Sequence, residues 1–122
     1  MTTSALASIE TALDVVLPGP YRAAMLTYPL DPADANSQIA LQNTASAVIA
    51  FNRFLREEFG GEWRQDSFAI GNSPCGDPYF LDLGSSSPAV WSWNHETHEV
   101  AQEAPDFSSW LAVQKALEAG DN

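Results

Sequence analysis

The sequence predicts an α+β domain in which helices pack around an antiparallel sheet. Near the N-terminus, apolar residues recur every three or four positions, at Leu6, Ile9, Leu13 and Val16, which is the spacing of one helical face. From Phe68 the apolar period changes to two, and clusters of turn residues separate the runs, as in a meander of short strands. A capped apolar helix then closes the chain. These changes of period define the fold class.

The first helical region is predicted to be a pair of helices. Ser4 is the expected N-cap of the first helix. The segment Leu17-Pro18-Gly19-Pro20 ends that helix and begins the second, since proline suits the first turn of a helix. Tyr21, Ala24, Met25 and Tyr28 give the second helix its apolar side, and Pro29 and Pro32 are expected to end it.

The middle of the chain predicts a loop, a short strand and a central helix. Residues 31–36 are polar and contain a proline, and the alternation around Ile39 and Leu41 favours a strand. Thr44 is the expected N-cap of the central helix, and Gly60-Gly61 marks its end. The apolar side of this helix is predicted to contain Val48, Phe51, Leu55 and Phe59.

The second half predicts most of the sheet and the last helix. Alternating residues indicate strands at Phe68 to Ile70, Tyr79 to Leu83 and Val90 to Trp93, with His98 to Glu103 as a candidate for a further strand. The prediction is therefore an antiparallel sheet of about four to six strands. Asp106 is expected to cap the C-terminal helix, whose apolar side is predicted to contain Phe107, Trp110, Leu111 and Leu117.

Length and charge narrow the possible functions. At 122 residues, one domain over residues 1–122 is the natural division. Sixteen acidic and five basic residues give a net charge of -11, which repels nucleic acid and anionic lipid. We therefore predict a protein partner, most favourably a basic one, because opposite potentials steer association. The alternative is that the acidity serves solubility alone.

Cysteine usage and the N-terminus predict a cytoplasmic protein. Cys75 is the single cysteine, so an internal disulfide is impossible, as suits a reducing compartment. Its neighbours include Asp77 and no cation, so an inert thiol is expected. The N-terminus has no basic segment before an apolar core, and no apolar run reaches the ~20 residues that span a bilayer.

Four segments together resemble the SUKH superfamily, which includes bacterial immunity proteins and the yeast cell-wall-synthesis regulator. Each segment is short, but all four follow in the order that the superfamily shows and cover nearly the whole chain. The segments are Leu17-Pro18 with Tyr21, Gly76-Asp77 with Tyr79-Phe80-Leu81-Asp82, Val90 to Glu96, and Asp106 to Leu111. The chain departs from the superfamily after the second helix, where Tyr28 to Asp31 replaces the usual Asn-Gly.

The resemblance implies a single SUKH-like domain that binds and neutralises a toxin domain, often a basic nuclease or deaminase. The alternative within the same fold is a regulatory or scaffold module that binds an endogenous protein. Neither role implies catalysis or a cofactor.

Candidate catalytic groups lack the spacing that chemistry requires. Asp77 and Asp82 lie at opposite ends of one predicted strand, ~17 Å apart and on opposite sides, too far for a catalytic pair. Asp77 is instead expected to accept hydrogen bonds from amides of its own turn. His95 and His98 are expected in a turn, where their rings need not converge on a metal. Ser85 to Ser87 are expected to form a plain turn.

A partner-binding surface is predicted along the last strands. Trp91 and Trp93 share a predicted strand face, where they either pack under helices or anchor an interface, and the two roles can divide between them. Acidic side chains nearby either form a solvated face or dock cationic groups, with Asp66, Glu57 and Glu58 adding charge. The predicted partner-binding residues are Asp77, Asp82, Trp91, Trp93, His95, Glu96, Glu99 and Glu103.

Overall fold

The computed structural model describes residues 1–27, 40–73, 75–85 and 88–118. Outside these ranges lie the predicted loop at 31–36, Ile39, Tyr28 and the prolines predicted to end the second helix, and Ser86 and Ser87 of the predicted serine turn. The described elements are α1 (Thr3–Leu13), α2 (Gly19–Thr27), β1 (Ala40–Leu41), α3 (Ala45–Glu58), β2 (Ser67–Asn72), β3 (Pro78–Asp82), β4 (Val90–Trp93), β5 (Val100–Ala104) and α4 (Phe107–Glu118). The predicted α+β class and its arrangement of helices are confirmed.

The five strands form one antiparallel sheet in the order β1-β2-β3-β4-β5. Every neighbour in the sheet is also the neighbour in sequence, so the sheet is a meander, with α3 inserted between β1 and β2. The pairing of β2 with β3 shifts between Ala69 and Gly71, and that of β4 with β5 shifts between Val90 and Trp91. The predicted sheet is therefore confirmed, including the further strand near residue 100.

One face of the sheet is covered by α1, α2 and α4. Tyr21 of α2 is fully buried and meets Phe68 of β2 and Phe107 of α4 edge-to-face, at centroid distances of 5.3 and 5.5 Å. Trp110 of α4 lies over Tyr79 of β3 at 5.5 Å. Edge-to-face contacts add to the apolar burial that holds these helices on the sheet. We call this side the helix-covered face.

The opposite face carries a smaller core that is mostly aromatic. It contains Leu55 of α3, Trp63 from the following loop, Ala69 of β2, Phe80 of β3 and Trp93 of β4. The helix α3 crosses the edge of the sheet, because Val48 in its first half belongs to the larger core and Leu55 to the smaller one. The helix α3 and the loop after it cover this face beside β2 and at Trp93, which is 4% exposed. The β4–β5 half is open around Trp91 and the exposed strand β5.

Helix caps confirm two predictions and correct one. The Thr44 hydroxyl accepts a hydrogen bond from the Ala47 amide, and the Asp106 carboxylate accepts one from the Ser109 amide. The prediction of Ser4 as the first cap was wrong, since Thr2 caps α1 by accepting from the Ala5 amide. Either hydroxyl residue can cap a helix. The prediction that Val16 belongs to the apolar stripe of α1 was also wrong, because α1 ends at Leu13 and Val16 is 81% exposed.

Candidate functional site

The open half of the sheet contains a groove of about 230 Å³ with aromatic walls. Its walls are Trp63, Phe80, Trp91 and Trp93, and the charged residues at its rim are Glu62, Arg64 and Asp82. We call this the aromatic groove. Val100 of β5 also lines it and is 55% exposed, so apolar surface continues from the groove to the edge of the sheet.

The two tryptophans of β4 share one face of the strand, as predicted, but differ in burial. Trp93 is 4% exposed, and its Nε1–H donates to the His98 carbonyl at 3.0 Å. Phe59 meets it edge-to-face at 4.6 Å. Trp91 is only half-buried at the groove. Trp93 is therefore part of the smaller core, whereas Trp91 offers ring surface to a partner.

At the rim of the groove, the Asp82 carboxylate has neither an ion pair nor a histidine partner among the described residues. Arg64 pairs with Asp66 at 3.0 Å, and Glu62 with the His98 ring at 2.6 Å. Within the described ranges, the Asp82 carboxylate accepts a single hydrogen bond, from the Gly84 amide at 3.0 Å. A Cβ at Gly84 would lie 2.8 Å from Asp66 Oδ2 and 3.2 Å from Asp82 Oδ1, so any side chain at this position would crowd both carboxylates.

Asp77 and His95 join the start of β3 to the end of β4. Asp77 Oδ1 accepts the His95 backbone amide at 3.1 Å and lies 2.5 Å from ring Nδ1. Burial alone raises the pKa of Asp77, but the hydrogen bonds from the His95 ring and amide outweigh it, so its pKa is lowered. The prediction that Asp77 accepts hydrogen bonds from amides of its own turn was wrong. The pairing of β3 with β4 instead brings the His95 amide, 18 residues later in the chain, to the Asp77 carboxylate.

The predicted turn after β4 is present, and its two histidines diverge. The Asn94 side chain accepts the backbone amides of Glu96 and Thr97 at 2.8 and 3.0 Å, which shapes the turn. His95 faces Asp77, whereas His98 has a positive φ of 63° and lies against Trp93. Within the described ranges, no three His, Cys, Asp or Glu residues are grouped as metal ligands.

The predicted acidic surface is divided between the two faces of the sheet. Ser92 Oγ donates to Glu103 Oε2 at 2.8 Å, which places Glu103 with Tyr79 on the helix-covered side of β4 and β5. Burial raises the pKa of Tyr79, and the charge of Glu103 adds to this effect. Glu96 and Glu99 are exposed in and after the turn. The structure therefore brings together Asp82, Trp91 and Trp93, with Asp77, His95 and Glu96 at the adjoining end of the sheet.

Sequence reasoning missed the residues that the loop after α3 contributes. Trp63 forms a wall of the aromatic groove, and Glu62 its rim. A second apolar depression, between α3 and the start of β3, includes Phe54, Phe59 and Pro78. A tryptophan two residues after Gly60-Gly61 is a usable signal, since a large aromatic residue in a polar loop usually anchors that loop to a core.

The segments that resemble SUKH proteins mostly build the core. Leu17, Tyr21, Phe107 and Trp110 are buried, and they join α2 and α4 to the sheet. The model of the SMI1/KNR4 family (SUKH-1) matches residues 1–113. The chain belongs to this family. No curated protein and no solved structure matches the chain.

Membership in the SUKH-1 family supports an immunity-like or SMI1/KNR4-type module that acts through protein–protein contacts. The family is known for non-enzymatic immunity and regulatory proteins. Of the helices that the structure describes, none has both the length and the apolar character to cross a bilayer.

Proposed function

We propose that this SUKH-1 protein is a cytoplasmic immunity protein that binds and neutralises a basic toxin domain of nuclease or deaminase type. It acts by covering the toxin's active site and turns over no substrate. The observation that carries the proposal is the aromatic groove: a sheet face left open by the helices, with tryptophan walls and an acidic rim, in a chain of net charge -11.

Apolar anchors supply most of the binding energy in this proposal. Trp91 and Val100 present apolar surface beside a groove, and interface hot spots are typically tryptophan, tyrosine and arginine residues set in such places. Burying about 800 Å² on each partner would require the interface to extend beyond the groove. The adjoining turn with His95, Glu96 and Glu99 provides that extension.

Acidic groups act mainly on association and specificity. Asp82 and the exposed Glu96 and Glu99 face solvent around the open face and attract a basic surface. Asp77 and Trp93 hold the turn and the groove wall in place, and Glu103 borders the outer strand from the other side. Association with a basic partner is therefore expected to weaken as the salt concentration rises.

Co-expression with the product of the adjacent upstream gene tests the proposal. Immunity genes commonly follow the toxin genes they counter, so that product is the natural candidate. We expect the two proteins to co-purify, to separate as salt rises, and to relieve growth inhibition by the upstream product. A complex that leaves the toxicity intact would favour the regulatory or scaffold alternative. Absence of a complex would reject the pairing.

A further inference from the structure

The aromatic groove combines ring faces with one carboxylate that has no cationic partner in the described part of the chain. Trp63, Trp91 and Trp93 provide indole surfaces, and Asp82 stands at the rim. A cation over an aromatic face is attracted by the ring quadrupole, and tryptophan is the strongest such partner. The groove therefore offers two kinds of attraction to the same positive charge.

The other rim charges are already engaged within the protein. Glu62 is held by His98 at 2.6 Å, and Arg64 is held by Asp66 at 3.0 Å. Because Arg64 pairs with Asp66, the Asp82 carboxylate is available to a cationic group of a partner protein. A lone carboxylate beside aromatic walls recognises a cation rather than an anion.

A buried donor in the groove wall also lacks a partner within the described ranges. Trp63 is 5% exposed, and its indole Nε1–H has no hydrogen-bond acceptor there. A buried N–H that stays unpaired is unfavourable, and such groups often mark a place that a ligand completes. A peptide segment passing Trp63 would offer backbone carbonyls as acceptors.

We propose that the aromatic groove receives one arginine side chain of the partner protein. The guanidinium stacks on Trp91 and donates to the Asp82 carboxylate, while the partner's main chain passes Trp63. Arginine fits better than lysine because its planar head stacks on an indole and presents several donors at once. At about 230 Å³ the groove suits a single side chain. This inference rests on the proposed function and specifies the partner's chemistry.

The test uses a capped Gly-Arg-Gly tripeptide and its citrulline counterpart, which keeps the shape and removes the charge. Binding is followed by NMR through the indole N–H signals of the full-length chain. We expect saturable shifts at Trp63 and Trp91, with the arginine peptide bound at least about fivefold more tightly than the citrulline peptide.

Two charge-matched variants locate the effect. Asp82→Asn should reduce the preference for arginine and leave only the part that the Trp91 ring contributes. Glu57→Gln removes the same unit of charge from an exposed position on α3 outside the groove lining and should keep the preference. Trp91→Leu should weaken binding of the arginine peptide more than binding of the citrulline peptide, because the leucine side chain has no ring face on which a cation can stack.

Equal binding of the two peptides, or no saturable shift with either, would overturn the inference. An equal loss in Asp82→Asn and Glu57→Gln would also overturn it, because diffuse acidity would then explain the binding. The outcome of these peptide experiments does not depend on whether the partner is a toxin. An upstream gene product that binds Asp82→Asn as tightly as wild type would contradict the arginine site while leaving the immunity role intact.

Discussion

The side chain of Asn52 replaces a strand at the edge of β2. It is fully buried, its Oδ1 accepts the Ala69 amide at 2.8 Å, and its Nδ2 donates to the Ala69 carbonyl at 3.0 Å. Among the described residues, β1 pairs with β2 at Gly71 and Asn72, and the Gln42 amide donates to the Ile70 carbonyl. Beyond this point α3 covers the edge of β2. Asn52 thus lets a helix close a sheet edge whose polar groups would otherwise be buried without partners.

Replacement of Asn52 by leucine should destabilise the fold strongly. Leucine has a similar size but cannot pair with the Ala69 amide and carbonyl, and we expect a loss of about 2–4 kcal/mol in the free energy of unfolding. Urea denaturation followed by tryptophan fluorescence measures it. Arg53→Leu, at an exposed position one residue on, is the control and should change stability by about 0.5 kcal/mol or less. A loss below about 1 kcal/mol for Asn52→Leu would contradict this role.

Glu10 should make stability depend on pH. Its carboxylate accepts the Leu17 amide and pairs with Arg22, both at 2.8 Å. The Leu17 amide lowers the pKa of Glu10 from 4.5, and Arg22 adds to this effect against partial burial. Because the folded pKa is below the unfolded one, the contribution is complete above the unfolded value and is lost as pH falls through the folded value.

Denaturation of wild type and Glu10→Gln at two pH values measures this contribution. At pH 7 the variant should be less stable by about 1 kcal/mol. At pH 3 the gap should narrow, because below 4.5 the carboxyl of the unfolded chain takes up a proton, which favours unfolding of the wild type. Glu58→Gln, an exposed change on α3, should show no such narrowing. A gap of the same size at both pH values would contradict the assignment.

Asp77→Ala should loosen the turn after β4 more than it destabilises the whole protein. The Asp77 side chain is 26% exposed, so its pair with His95 is screened and should contribute about 1 kcal/mol or less. Hydrogen exchange should show the His95 amide exchanging about fivefold faster or more. In Asp82→Ala, the matched control, that amide should exchange at the wild-type rate. An unchanged exchange rate of the His95 amide in Asp77→Ala would show that the turn does not depend on Asp77 for its stability.

Trp91 and Trp93 should respond differently to replacement by leucine. Trp93→Leu removes a buried ring and the hydrogen bond to the His98 carbonyl, and we expect a loss of about 3 kcal/mol in stability. Trp91→Leu should cost about 1 kcal/mol or less, while weakening partner binding by about tenfold. Denaturation and binding measurements on both variants separate the roles. Similar stability losses would show that both rings serve the core.

Local patterns predicted most of the fold. The alternation near Phe68 and Trp91 reflects strands with two distinct faces, and the stripe from Leu6 to Leu13 reflects a helix on a core, so both are visible in sequence. The caps at Thr44 and Asp106 are equally local, since each acts within three residues. Such features depend on neighbouring residues alone.

Long-range features were not predictable in the same way. In the sequence, Asn52 has the appearance of a solvent-facing position on an amphipathic helix. Its burial is explained only by its hydrogen bonds to Ala69, 17 residues later, at the edge of the sheet. Asp77 finds His95 through strand pairing, and Trp63 enters the groove because its loop folds back over β3. These contacts depend on tertiary geometry, as does the separation of Glu103 from the acidic groups near Trp91.

The most direct test of the proposed function is a titration of the upstream gene's product with the purified chain, recording binding and toxin activity in the same samples. The account predicts that activity falls in proportion to complex formed. It also predicts that the Kd rises about tenfold or more between 50 and 500 mM salt, as attraction to the acidic face is screened. A saturated complex with full toxin activity, or a Kd insensitive to salt, would contradict it.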